Sequence, residues 1–132
     1  MKSTSFKYFL AALLSLSLSP LADAADMVVI SNSGITLSAA EVKDVFLGEK
    51  QFAGGTKLIP VDNAALQERF LSKYMNMTGD KYNSMWTKKS FRDGLTPPPV
   101  KSADAEVIEY VKRTAGAIGY VSAAPAGVNV AK

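Results

Sequence analysis

Short β-branched runs alternate with capped amphipathic stretches along the chain after residue 24, and that alternation limits the folds open to it. "MVVI" (27–30) has the compact apolar character of a buried strand, and "SNSG" breaks it with turn formers. "SAAEVKDVFLG" then carries its own helix signals. Ser38 and Glu41 are spaced as a capping box, Val42, Val45 and Phe46 share a face, and Gly48 ends the helix. "QFAGGTKLIPV" predicts a hairpin or tight loop at Gly54–Gly55 feeding a strand over 57–61. Asn63 is placed to cap a second helix with Leu66, Phe70 and Tyr74 as its apolar stripe.

Thr78 is placed to cap a third helix, with Tyr82, Met85 and Trp86 on one side and Gly94 at its end. "TPPPV" (96–100) must leave that helix as a stiff, extended connector. Ser102 is placed to cap a fourth helix bearing Val107, Ile108 and Val111. "GAIGYV" (116–121) and "VNVA" (128–131) read as strands, and Gly119 inside the former suggests a bulge or a close backbone approach. Strands separated by helices predict the α/β class: a layered mixed β-sheet flanked by helices.

The first 24 residues read as a secretory signal peptide. Lys2 and Lys7 give a positive start, "FLAALLSLSLSP" is a short apolar stretch, and Ala22 to Ala24 offer a small-residue cleavage pattern. Export is therefore expected, to the periplasm if the cell is Gram-negative. Residues 25–132 make one domain's worth of chain.

The sequence has no cysteine and no histidine. It lacks a thiol nucleophile, a Ser-His pair and nearly all the usual ligands of zinc, so a non-catalytic protein without a cofactor is expected. Mild basicity falls short of the charge density of a nucleic-acid binder.

The remaining constellations each have a plain alternative. "MNM" (75–77) offers two thioethers to soft Cu(I), but without histidine or cysteine Met75 fits better as packing. Asp104, Glu106 and Glu109 sit early in a helix, where acids complement the dipole. "AGGTK" lacks the spacing of a phosphate loop. Lys81, Lys88, Lys89 and Arg92 can form a basic stripe that meets an anionic ligand or an acidic partner, or is simply a solvated helix face.

The junction in "LIPVDNAALQERF" (58–70) is the candidate site, because a helix start after a strand offers unpaired N–H groups to an anion. Such an end favours negative charge by roughly 0.3–1 kcal/mol. A carboxylate about 6 Å from a bound anion opposes it by roughly 3 kcal/mol at an effective dielectric near 20. Asp62 therefore outweighs the bare dipole unless it accepts a hydrogen bond from a protonated anion. Asp62 and Asn63 either hold a ligand or merely start the helix.

The order "LSAAEVKDVFLGEKQFAGGTKLIPVDN", "RFLSKY", "YNSMW" and "GLTPPPVKSADAEVIEYVKRTAGAIGYVS" resembles the phosphate-type periplasmic substrate-binding proteins of ABC transporters, and more narrowly their short single-lobe relatives. The resemblance implies one lobe of a type II periplasmic binding protein, non-catalytic reversible binding, and a role in phosphate or other oxyanion uptake. It implies as partners phosphate or another small oxyanion, and an ABC permease or a second periplasmic chain. Full-length relatives hold phosphate with an arginine at a strand end and a Ser-Gly-Thr at the next helix start. "PVDNAA" (60–65) has neither, so Asp62 and Asn63 are the positional candidates. Ser31, Asn32 and Ser33 follow the first strand and are expected to add donors at the same sheet edge. The alternative is an exported interaction module that has lost anion binding and docks onto another periplasmic or membrane protein.

Overall fold

The computed structural model describes residues 27–132; the signal peptide expected over 1–24 lies outside the described residues. β1 (Val28–Asn32) leads to α1 (Ala39–Phe46), and a small hairpin follows, β2 (Phe52–Ala53) with β3 (Thr56–Lys57). Next come β4 (Ile59–Pro60), β5 (Asp62–Asn63) and the short α2 (Gln67–Phe70), which widens into a π-turn over Leu71–Met75. The chain continues through α3 (Gly79–Asp93), β6 (Val100–Lys101), α4 (Asp104–Arg113), β7 (Ala117–Val121) and β8 (Val128–Val130). No helix among the described residues is long and apolar enough to cross a membrane.

The main sheet has the order β4-β7-β1-β8. β4 runs parallel to β7, while β1 runs antiparallel to both β7 and β8. The mixed α/β sheet expected from the sequence is thus present. Strand alternation divides the core in two. Val29, Ile118 and Tyr120 face α1, the π-turn and α3, where Phe46, Phe70, Leu71, Met75 and Trp86 complete the larger apolar layer. Ile30, Ala117 and Val121 face the other way and pack with Val107 and Val111 of α4.

Gly119 pairs with Ile30 and points toward α4. A Cβ there would lie 2.5 Å from Val107 Cγ1 and 3.2 Å from Val61 Cγ2, so the close approach is real and no bulge is needed. Gly119→Ala is expected to lower stability by about 1–3 kcal/mol, the cost of overpacking a tight interface. An unchanged urea midpoint would show that α4 has room to move.

Local chemistry explains most element ends. The Ser38 N–H donates to Glu41 Oε1 at 2.9 Å, and the Glu41 N–H donates to Ser38 Oγ at 3.3 Å, closing the capping box. Thr78 Oγ1 accepts from the Lys81 N–H at 3.2 Å, and α3 ends at Gly94 with φ 69°. Two expected caps differ. α4 starts after Ala103 without a side-chain cap, and Ser102 instead bonds Glu106, its N–H donating to Oε1 at 3.0 Å. Asn63 does not cap α2; its Oδ1 accepts from the Ala65 N–H, and the helix begins four residues later, at Gln67 after Leu66.

The strand expected over 57–61 is divided between two pairings, Lys57 with β2 and Ile59–Pro60 with β7. Pro60 has no N–H and sits in β4, at the edge of the main sheet. Beyond it the Asp62 N–H turns to Pro99 O at 2.8 Å, and β5 pairs with β6 instead. The helical stripe expected of Leu66, Phe70 and Tyr74 is also displaced. The wider π-turn rotates the buried face to Phe70, Leu71 and Met75. Met75 is core, as its packing alternative required.

Candidate functional site

Asp62 and Asn63 stand where β4 leaves the sheet, pinned by β6 on one side and β7 on the other. Asp62 is 1% exposed. Tyr82 of α3 donates its hydroxyl to Asp62 Oδ2 at 2.9 Å, and Tyr120 of β7 donates to Oδ1 at 2.8 Å. Burial pushes the Asp62 carboxyl up to about 6, and the two phenol hydrogen bonds work against that rise. Burial, together with the negative charge of Asp62, pushes both phenols well above their ordinary range, so both remain neutral donors.

Asn63 is wholly enclosed. Its Nδ2 donates to Asp104 Oδ1 at 2.8 Å and to Tyr120 O at 2.9 Å, while its Oδ1 accepts from the Ala65 N–H at 3.1 Å. Burial disfavours the charged form of Asp104, but the Ser122 N–H and the Asn63 amide outweigh it and hold its carboxyl below the usual range. Asp62 and Asn63 therefore direct their polar atoms inward, tying β5 to α3, α4 and β7.

Ser31, Asn32 and Ser33 do not join them. β1 is antiparallel to β7 and β4 is parallel to it, so the carboxyl ends of β1 and β4 lie at opposite ends of the sheet. The expected shared edge does not form. Ser31 Oγ donates to Ile35 O at 3.3 Å. Asn32 Nδ2 donates to Val111 O at 3.0 Å and Lys112 O at 3.3 Å, satisfying carbonyls at the end of α4. Ser33 is exposed, and its carbonyl accepts from Asn129 Nδ2.

What opens beside Asp62 is a groove of about 470 Å³ between α3 and the proline connector. Tyr82, Trp86, Phe91, Pro97, Pro98 and Val100 supply its apolar lining, and Gln67, Asn83, Thr87 and Ser90 its neutral polar lining. Among the described residues, Asp62 is the only charged one that lines it. Trp86 is a core anchor, donating its Nε1–H to Phe46 O at 3.2 Å. Phe91 is 88% exposed and Val100 58% exposed.

The neighbouring flank of α3 is basic. Lys81, Lys88, Lys89 and Arg92 gather there with Ser84 and Met85 around a shallow depression. Lys89 turns inward to Leu47 O and lies 3.7 Å from Glu49, and Arg92 lies 3.7 Å from Asp93. Lys81 and Lys88 have no carboxylate partner among the described residues. Glu106 and Glu109 are engaged locally, with the Ser102 N–H and Arg113 respectively, and do not face each other as an acid–base pair. No group of three or more potential acidic metal ligands occurs among the described residues.

In the sequence Tyr82 lies on one side of a predicted helix and Tyr120 within the predicted strand "GAIGYV", with neither singled out as a donor to Asp62. Tyrosine in place of phenylalanine was the available signal, since a buried phenol asks for an acceptor. No protein-family model matches the sequence, and no curated protein matches it.

Proposed function

We propose that this chain is an exported, non-catalytic protein of the phosphate-type periplasmic substrate-binding kind, a single lobe associated with ABC uptake, whose recognition event is docking onto another protein. The observation that carries the docking reading is the internal engagement of Asp62 and Asn63. At the position where the resembling family grips its ion, this chain has a buried carboxylate held by two phenols. A phosphate placed there would meet the Asp62 charge and no arginine, a Coulomb opposition of roughly 3 kcal/mol per unit charge at about 6 Å and an effective dielectric near 20.

An exposed apolar lip beside a preformed groove supports recognition of a protein surface instead. An ABC permease or a second periplasmic chain fits the family's setting. Isothermal titration with phosphate, sulfate and a neutral solute tests the reading. No heat above the neutral control is expected at millimolar anion. Saturable phosphate heat would return the chain to the free-standing oxyanion receptors.

A further inference from the structure

We infer that the groove beside α3 seats an acidic segment of a partner protein bearing one large apolar side chain, an assignment that rests on the docking reading above. Two adjacent strips of one helix carry it. Phe91 stands at the groove, 88% exposed, and Lys88 lies one turn before it. Lys81 and Lys88 have no carboxylate partner among the described residues, and α3 carries four cations against Asp80 and Asp93. Asp93 already lies beside Arg92.

The charge distribution also sets how a segment lies. Asp62 at the groove repels acidic side chains from it, so the groove takes the apolar residue. The lysine flank takes the acids. Pro97 and Pro98 form a stiff wall that needs no ordering on binding, which favours capture of a flexible segment. A bilayer surface cannot follow this concavity, and Phe91 and Val100 are separate exposed apolar side chains rather than a broad apolar face.

The test is selection of displayed random peptides on the full exported chain, followed by fluorescence anisotropy of the selected peptides. Enriched sequences should carry acids on either side of one aromatic or large aliphatic residue. Phe91→Ala and the pair Lys81→Glu with Lys88→Glu should each weaken binding at least about tenfold, with Lys43→Glu on α1 leaving it unchanged. These side chains are exposed, and urea midpoints matching the parent chain establish that each variant folds. A neutral or basic consensus, no enrichment, or binding indifferent to Phe91 and the lysines overturns the assignment. So does Phe91-dependent binding to phosphatidylglycerol vesicles without peptide binding. Failure of the peptides alongside silent phosphate titrations removes only this partner chemistry, whereas saturable phosphate binding removes the docking reading beneath it.

Discussion

Phe70→Ala is expected to lower the unfolding free energy by about 3–5 kcal/mol, a large fraction of what a domain of this size possesses. Phe70 is fully buried where α2 passes into the π-turn. Its ring stacks on Tyr120 at 4.0 Å between centroids with planes 1° apart. Phe46 meets it edge-on at 4.8 Å, and Tyr74 covers it at 5.3 Å. Truncation would leave a cavity among three rings and loosen the face of Tyr120, which also holds Asp62. Phe91→Ala removes the same atoms from an exposed position and should change stability by less than about 0.5 kcal/mol. Urea unfolding of both variants checks the contrast. Equal, small losses would mean that the aromatic stack is not the centre of the core.

The second large effect concerns pH. Asp62 has an ordinary value of 3.8 and a folded value of about 6, so between those limits the native state binds more protons than the unfolded chain. Its contribution to stability is present below the unfolded value and is lost as pH rises through about 6. The displacement corresponds to about 3 kcal/mol, at about 1.4 kcal/mol per pH unit. Glu41 and Asp104 act in the opposite sense, because their folded values are lowered and their contributions disappear toward acid. The difference between the parent chain and Asp62→Asn isolates the buried group. Asparagine can accept from one tyrosine and donate to the other, so the packing is retained. Between about pH 4 and pH 7 the parent should lose about 2 kcal/mol of that relative to the variant. A flat difference would place Asp62 in contact with water.

Much of the fold was legible because local chemistry and tertiary packing agree in it. The Ser38–Glu41 box, Thr78 and Gly94 mark helix ends through groups only a few residues apart. The buried strand Ala117–Val121 was visible as an apolar run. What failed to show depended on partners distant in sequence. Nothing near residue 60 announces that β5 will abandon the main sheet for β6, some 38 residues later. Nothing in 67–75 distinguishes a π-turn from an α-helix, although one extra residue in the turn moves the buried face.

The site divides in the same way. The absence of an arginine and a Ser-Gly-Thr was plain at "PVDNAA", and so was the awkward charge of Asp62. The fate of that charge lay in Tyr82 and Tyr120, 20 and 58 residues away. Strand direction was equally hidden. The antiparallel course of β1 removes Ser31, Asn32 and Ser33 from the end of the sheet where Asp62 lies. Helix periodicity does set Phe91 opposite the buried Tyr82 and Trp86, on the exposed side; what it could not show is the proline connector that makes a groove there.

At the strand-end junction, an internal carboxylate–phenol hydrogen-bond network occupies the groups that an anion would need. Amide chemical shifts from Val61 to Leu66, followed while phosphate is titrated into the isotopically labelled chain, test it at the atoms concerned. Only small, non-saturating shifts are expected there, with the Asn63 side-chain amide resonances unmoved. Saturable shifts concentrated on those amides would mean that the junction opens and grips the ion after all.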